Sequence, residues 1–85
     1  MDNNIKLLLN ETTKETMKKR NITEEDLKKT ITNAETTGEK LYQPQTNRYL
    51  AKLLINEATI YADYTTEKDT YKINTTYKHK AVIKQ

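Results

Sequence analysis

Residues 59–83, TIYADYTTEKDTYKINTTYKHKAVI, alternate tyrosine, isoleucine and alanine with lysine, threonine and asparagine. An alternation of period two predicts β-strands that are buried on one face and solvated on the other. Residues 66–69 interrupt the alternation with Thr-Glu-Lys-Asp and predict a turn. We therefore expect two antiparallel strands, over about residues 58–65 and from Tyr71 towards Ile83.

A third strand is predicted over residues 48–55, joined to the next strand by a tight turn at Asn56-Glu57. Successive side chains point to opposite faces of a strand. We assign to the face turned towards the core Tyr49, Ala51, Leu53, Ile55, Ala58, Ile60, Ala62, Tyr64, Tyr71, Ile73, Thr75, Tyr77, His79 and Ala81. We assign to the opposite, solvated face Leu50, Lys52, Leu54, Thr59, Tyr61, Asp63, Lys72, Asn74, Thr76, Lys78 and Lys80.

The segment before these strands carries the signals of a helix over residues 24–37. Thr23 is a natural N-cap, and Asp26 follows three residues later as in a capping box. Gly38 is placed where a left-handed C-terminal cap is needed. The predicted buried stripe of this helix contains Leu27, Ile31 and Ala34.

A first helix is predicted over residues 4–19, because the apolar residues there recur with helical period, although threonines lower the intrinsic helix propensity. Residues 39–47 are predicted to be a connection, since Pro44 has no amide donor and disfavours a regular strand. The predicted architecture is α+β, with two helices packed on one face of a three-stranded antiparallel meander (ααβββ). We expect residues 1–85 to form one small domain, with residues 22–83 as its core module and residues 1–21 as the N-terminal helix.

Composition limits the classes of function. The chain has 85 residues, of which 34% are hydrophobic, so the expected core is small. The lack of cysteine excludes disulfides, thiolate metal sites and a cysteine nucleophile, and it favours a reducing cytoplasm. We expect neither a signal peptide nor a membrane span, because the apolar runs are short. The net charge of +3 is small for a nucleic-acid-binding protein.

His79 is the only histidine and the first candidate for chemistry, as a general base or a contact to a ligand. Its nearest candidate orienting carboxylate, Asp63, is assigned to the other face of the sheet, which favours an ordinary strand histidine. The acids at residues 24–26 point in different directions on a helix and suit its N-terminus, so they predict no metal site. We therefore predict no catalytic residue, metal or cofactor, and consider an enzyme less favoured than a binding protein.

Six tyrosines are the only aromatic residues. Exposed tyrosines beside lysines could stack nucleic-acid bases, whereas buried tyrosines would fill a thin core. The candidate platform consists of Tyr61, Tyr64, Tyr71 and Tyr77, with Lys52, Lys72 and Lys78 as the neighbouring cations. Because the alternation leaves only Tyr61 on the solvated face, the core interpretation is favoured.

The stretches ITEEDLKKTITNAETTGEKLYQPQTNRYLAKLLI and ATIYADYTTEKDTYKINTTYKHKAVI resemble a family of small domains of anaerobes. Members are encoded beside, or fused to, flavin and iron–sulfur oxidoreductases of the glutamate-synthase small-subunit type. The resemblance covers about residues 22–83 and depends most on residues 37–41 (TGEKL), Tyr64, Tyr77 and His79. The chain departs from the family pattern at Tyr61, where the family has a tryptophan. The family has no assigned activity, so the resemblance implies an accessory role beside a redox enzyme and transfers no catalytic residue.

Three functional hypotheses follow. The first is a non-enzymatic accessory module that docks on a protein partner, such as a flavin or iron–sulfur oxidoreductase, or on a second copy of itself. Its predicted interaction face consists of Leu50, Leu54, Tyr61, Lys52 and Lys72, with Tyr77 and His79 as candidate polar functional residues. The second is a nucleic-acid-binding module that uses a basic sheet face. The third is a small histidine-dependent nuclease-like toxin centred on His79.

Overall fold

The structure, a computed structural model, describes residues 5–80. Within that range, two helices lie against one face of a five-stranded mixed sheet. The elements are β1 (Lys6–Leu8), α1 (Glu11–Arg20), α2 (Glu24–Thr37), β2 (Lys40–Gln43), β3 (Arg48–Ile55), β4 (Ala58–Glu67) and β5 (Thr70–Lys80). The strand order is β1-β5-β4-β3-β2, with β1 parallel to β5 and all other neighbours antiparallel. The α+β class agrees with the sequence prediction.

The predicted three-stranded meander is wrong, because the sheet has a further strand at each edge. At the N-terminal edge, residues 6–8 form a strand instead of the first turns of a helix. Asn10 is the reason: its side-chain oxygen accepts a hydrogen bond from the amide of Thr13 at 2.7 Å, which caps α1 and places its first residue at Glu11. The predicted start of this helix, Asn4, lies outside the described residues.

At the other edge, residues 40–43 form a strand where a connection was predicted. This strand pairs antiparallel with residues 48–51 of β3. Pro44 follows it immediately and begins the turn that leads into β3, so the proline ends a short strand and does not prevent one.

Helix α2 forms as predicted. The Thr23 side chain accepts a hydrogen bond from the Asp26 amide, and the Asp26 carboxylate accepts one from the Thr23 amide, which completes a capping box. Gly38 ends the helix with φ 81°, in the left-handed region. The predicted turn at Asn56-Glu57 is also present, and positive φ angles of 50° and 70° match the twist of a two-residue hairpin.

A β-bulge in β5 changes which side chains face the helices. Tyr64 pairs with Ile73, but its neighbour Asp63 pairs with Thr75, so Asn74 is an extra residue in β5. The predicted faces are therefore reversed from this point to the end of the described strand. Three residues predicted to face the core point away from the helices: Thr75, Tyr77 and His79. Three predicted to be solvated lie on the helix side: Thr76, which is buried, Lys78 and Lys80. Ala81 lies outside the described residues.

The core lies between the helices and the sheet. Helix α1 packs against β5, and α2 packs against β3 and β4. The buried apolar residues of this core are Met17, Ile22, Leu27, Ile31, Ala34, Ala51, Ala58, Ile60, Ala62, Tyr64 and Ile73. Leu53, also predicted to be core, is half-buried at the edge of the helix layer. Among the described residues, no helix combines the length and apolar character needed to cross a membrane.

Candidate functional site: the open face of the sheet

Both helices cover one face of the sheet, and we call the other face the open face. The strand registers bring to it side chains from all five strands. These residues are Lys6, Leu8, Leu41, Arg48, Leu50, Lys52, Leu54, Thr59, Tyr61, Asp63, Thr65, Lys72, Thr75, Tyr77 and His79. All five residues of the predicted interaction face are among them.

Apolar side chains group on one part of the open face. Leu41 on β2 lies directly opposite Leu50 on β3, and Tyr61 on β4 lies directly opposite Tyr77 on β5. Leu54 lies opposite Thr59, one position diagonal to Tyr61. We call these five residues the apolar patch. Leu41 and Leu54 are 66% and 63% exposed. Leu54 lies four residues, about 13 Å, along β3 from Leu50, the partner of Leu41, and Lys52 lies between Leu50 and Leu54 on the same face.

The two tyrosines of the patch stack on each other. Their ring centroids are 4.6 Å apart and their planes differ by 14°, so one face of each ring covers a face of the other. Because the centroid separation equals about one interstrand spacing, the rings stand upright from the sheet. The outer face of Tyr61 is turned towards Lys52, its partner in β3. The outer face of Tyr77 is turned towards the side of β5 that no described strand occupies at this position.

The remainder of the open face is polar and internally paired. Arg48 and Asp63 form an ion pair of 3.4 Å between Nε and Oδ1. The Asn74 amide donates to the hydroxyl of Thr65 at 2.9 Å and to Asp63 at 3.4 Å, which ties the bulge to β4. Lys72 lies opposite Thr65 of β4, whereas Lys52 lies opposite Tyr61 of the same strand. Because Thr65 and Tyr61 are four residues apart, the two lysines are separated by roughly 13 Å along the strand direction. The two predicted lysines are thus not brought together.

His79 and Asp63 share the open face, contrary to the predicted assignment. They are not partners, because His79 lies opposite Thr59, four residues and about 13 Å along β4 from Asp63. The Tyr61–Tyr77 pair occupies the position between them. Asp63 is engaged with Arg48 and Asn74 instead. Among residues 5–80, the histidine therefore has no orienting carboxylate.

A second polar cluster lies on the helix side of the sheet. The Glu35 carboxylate of α2 accepts hydrogen bonds from Lys40 Nζ at 2.8 Å and from the Tyr64 hydroxyl at 2.7 Å. Burial opposes ionisation of Glu35, but these two bonds outweigh it and hold the pKa of the carboxyl below its ordinary value. Burial, and next the hydrogen bond to Glu35, raise the pKa of the Tyr64 phenol far above its ordinary value.

This cluster is suited to holding α2 on the sheet, and it is poorly suited to catalysis. Tyr64 is fully buried, and its ring contacts Tyr49 and Tyr71 at centroid distances of 5.6 and 5.7 Å. Lys40 lies 4.5 Å above the ring of Tyr49 in addition to its bond with Glu35. Each acidic or basic group of the cluster therefore already has an internal partner.

The predicted interaction face did not include two residues of the apolar patch, Leu41 and Tyr77. Leu41 was assigned to a connection, although the alternation of Lys40-Leu41-Tyr42-Gln43 is compatible with a short edge strand. Tyr77 was assigned to the core side and named as a candidate polar residue and a candidate stacking ring, not as part of an apolar surface. The doubled threonine at residues 75–76 is the one local sign that the alternation breaks, and it does not by itself locate a bulge.

The apolar patch is thus the candidate functional site. The chain matches no protein-family model, and no curated protein and no solved structure is significantly similar to it. The resemblance to small domains that accompany flavin and iron–sulfur oxidoreductases stays a prediction.

Proposed function

We propose that this chain is a non-enzymatic interaction module that docks on another protein through the apolar patch. The observation that carries the proposal is the exposure of Leu41 and Leu54 on the same sheet face as the Tyr61–Tyr77 stack, a face that no described element covers. A chain of 85 residues buries a limited core, so covering this surface would add a substantial share to its stability.

The state of the polar groups supports a binding role over catalysis. His79 lies opposite Thr59 and has no carboxylate opposite it in the sheet. Lys40 and Tyr64 both donate hydrogen bonds to the Glu35 carboxylate on the helix side of the sheet. A nuclease-like toxin centred on His79 would be helped by a carboxylate that orients the imidazole, and Asp63 is instead engaged with Arg48 and Asn74.

The geometry of the tyrosines favours a protein over a nucleic acid. Single-stranded nucleic acids bind best to rings whose faces are open to bases, with cations along the backbone path. Here Tyr61 and Tyr77 each cover one face of the other, and Lys52 is the nearest cation. Lys78, which was a candidate cation, instead donates to the carbonyl of Asn21 at the end of α1.

For the partner we propose a redox enzyme of the flavin or iron–sulfur class, in a reducing cytoplasm. The support is the resemblance over residues 22–83 and the lack of cysteine in the chain. The chain would contribute no cluster ligand, so its role would be to bind and position the larger protein.

The test is affinity purification of tagged variants from source cells, with quantitative mass spectrometry of what co-purifies. Leu54→Asp places a charge in the apolar patch, and Leu8→Asp is a matched control. Leu8 is 49% exposed on the same face but lies on β1, at the far edge of the sheet. We expect at least one partner to be lost from Leu54→Asp and retained by Leu8→Asp.

Two results would contradict the proposal. If Leu54→Asp and the native chain retained the same proteins in the same amounts, the apolar patch would not be a docking surface. If the captured proteins disappeared after nuclease treatment, the association would run through nucleic acid. Circular dichroism of both variants checks that each is folded before the comparison is made.

A further inference from the structure

The composition of the chain limits where a one-electron oxidation can fall. Thiol, indole and phenol groups are the side chains that lose a single electron most readily, and this chain has six tyrosines but no cysteine and no tryptophan. Met17, whose thioether is a further oxidisable group, is buried in the core. We therefore expect a one-electron oxidant to act on a tyrosine.

Four of the tyrosines form a continuous row on the helix side of the sheet. Tyr42, Tyr49 and Tyr64 lie directly opposite one another on β2, β3 and β4, and Tyr71 on β5 contacts Tyr64. The ring centroids of successive members are 4.9, 5.6 and 5.7 Å apart. We call these four residues the tyrosine row. Because electron transfer is fastest between groups in contact, a vacancy created on one ring can move to the next.

The tyrosine row connects solvent to the interior of the protein. Tyr42 is 49% exposed, whereas Tyr64 is fully buried. Between them, Lys40 Nζ lies 4.5 Å from the ring centroid of Tyr49. A cation so close disfavours a positive charge on that ring. Tyr49 is therefore suited to pass an electron vacancy on and is a poor place for the vacancy to stay.

Tyr64 has beside it the base that oxidation of a phenol requires. A phenol that has lost an electron is a strong acid, so its oxidation is favourable where a base can take the hydroxyl proton. The Tyr64 hydroxyl donates to the Glu35 carboxylate at 2.7 Å, within reach for direct proton transfer. Although burial opposes ionisation of Glu35, the bonds from Lys40 and Tyr64 hold its pKa below the ordinary value, so the carboxylate is in its basic form at neutral pH.

The other tyrosines lack this arrangement. Among residues 5–80, Glu35 is the only carboxylate that accepts a hydrogen bond from a phenol, and Tyr64 is the donor. Tyr42 donates to the side-chain carbonyl of Asn47 at 2.7 Å, and an amide oxygen is a far weaker base than a carboxylate. Tyr61 and Tyr77 stack on each other on the open face, on the opposite side of the sheet from the row.

We propose that the tyrosine row is a one-electron redox site, in which an oxidant at the surface takes an electron through Tyr42 and Tyr49 and the vacancy comes to rest on Tyr64. The O–H bond of Tyr64 breaks and its proton moves to Oε2 of Glu35, which leaves a neutral tyrosyl radical and a neutral carboxylic acid. The oxidant gains one electron. The class of oxidant that fits is a small diffusible radical, an organic peroxyl radical, which becomes a hydroperoxide with a proton from water. This site goes beyond the proposed docking function and lies on the other face of the sheet.

The first experiment is flash photolysis of the full chain, with photogenerated tris(bipyridyl)ruthenium(III) as the oxidant and electron paramagnetic resonance to detect tyrosyl radicals. We expect a long-lived radical, because Tyr64 is shielded from solvent and from other chains. Tyr64→Phe should lose this signal. Glu35→Gln keeps the phenol but removes the base, and it should slow formation of the radical by about a hundredfold or more. Tyr49→Phe should lower the yield, whereas Tyr77→Phe, on the other face, should leave it unchanged.

Peroxyl radicals from a water-soluble azo initiator test the proposed class of oxidant. A vacancy that stays on an exposed ring can couple two chains through a dityrosine bond, whereas a vacancy that moves to the buried Tyr64 cannot. We therefore expect more dityrosine-linked dimers from Tyr64→Phe than from the native chain. Equal yields of these dimers would show that peroxyl oxidation does not reach Tyr64.

The radical experiment can also overturn the proposal. Equal radical lifetimes in the native chain and Tyr64→Phe would exclude Tyr64 as the resting place, and equal rates of formation in the native chain and Glu35→Gln would exclude Glu35 as the base. Circular dichroism checks that each variant is folded. The native chain gives a reading that needs no variant: in deuterated water, the radical should couple to one exchangeable deuteron in the hydrogen bond from Glu35. A radical without that coupling would contradict the proposed site.

Discussion

The ring of Tyr61 stacks on the ring of Tyr77 across β4 and β5, at 4.6 Å between centroids and 14° between planes. This pair joins an inner strand to a strand that has no described neighbour on its other side at that position. It also forms the end of the apolar patch farthest from β2. The stack is therefore expected to contribute both to the stability of the sheet and to the binding surface.

We predict that Tyr77→Ala lowers the free energy of unfolding by about 1 kcal/mol, since cross-strand aromatic pairs contribute on this scale. Tyr77→Phe should be nearly neutral, because the ring carries the interaction. Urea unfolding of Tyr61→Ala, Tyr77→Ala and the double variant gives the coupling between the rings. A coupling indistinguishable from zero would show that the observed stack contributes nothing to stability.

The sequence predicts the parts of the fold that local chemistry determines. Helix α2 was correct because Thr23, Asp26 and Gly38 are three independent terminal signals. The hairpin at Asn56-Glu57 was correct because a two-residue turn between alternating strands has few other solutions. The same short turn fixes the register between β3 and β4, so the predicted assignment of their side chains to the two faces was correct. Leu50, Leu54 and Tyr61 were therefore placed on the open face.

The errors concern features that depend on pairing between distant segments. A three-residue strand such as β1 carries too little sequence to show a period, and Leu7, Leu8 and Leu9 fit a helix equally well. Its state is decided by β5, which lies more than sixty residues later. The bulge at Asn74 is likewise decided by hydrogen bonds to β4, so the alternation alone placed Tyr77 on the wrong face.

From the hydrogen bonds of Glu35 we predict that the folded chain loses stability in acid. Its pKa is lowered in the folded chain because the bonds from Lys40 and Tyr64 outweigh the effect of burial. As the pH falls, the unfolded chain takes up this proton first, so the contribution is present above the ordinary glutamate pKa of about 4.3 and is lost as the pH falls through the lower folded value. We expect Glu35→Gln to cost about 1 kcal/mol at neutral pH and less in acid.

The measurement is urea unfolding by circular dichroism from neutral to acidic pH. Glu35→Gln should show a shallower decline than the native chain, and Lys40→Met, which removes one of the two bonds, should fall between them. Identical pH profiles for the native chain and Glu35→Gln would contradict the role assigned to this carboxylate.

From the environment of Tyr64 we predict that the folded chain also loses stability in alkali. Burial, with the hydrogen bond to Glu35 and its charge, raises the pKa of the Tyr64 phenol, and burial and the same charge raise that of Tyr71. The unfolded chain ionises both phenols at about pH 10, so their contribution is complete below that pH and declines above it. Tyr64→Phe should remove one hydrogen bond at neutral pH, worth about 1 kcal/mol, and flatten the alkaline decline.

Ultraviolet absorbance of the phenolate form checks this directly. In the folded chain, Tyr64 and Tyr71 should ionise only with the unfolding transition. A phenolate absorbance that reaches its unfolded-state value well below the unfolding transition would contradict the raised pKa of Tyr64 and Tyr71.

Deletion of Asn74, the extra residue of β5, tests whether the bulge fixes the faces of this strand. Deleting it would turn Tyr77 and His79 towards the helices and Thr76 out of the core, where its hydroxyl now donates to the Tyr61 carbonyl at 2.6 Å. Inserting a tyrosine into this packed layer overfills it, so we expect the deletion to cost about 3 kcal/mol or more and to leave little folded protein.

The matched variant is Asn74→Ala, which keeps the extra residue and removes only the amide bonds to Thr65 and Asp63. It should cost about 1 kcal/mol. The difference in unfolding free energy between the two variants isolates the contribution of the strand register from that of the side chain. A deletion variant as stable as Asn74→Ala would mean that β5 tolerates both registers, and the open face would then not be fixed by the bulge.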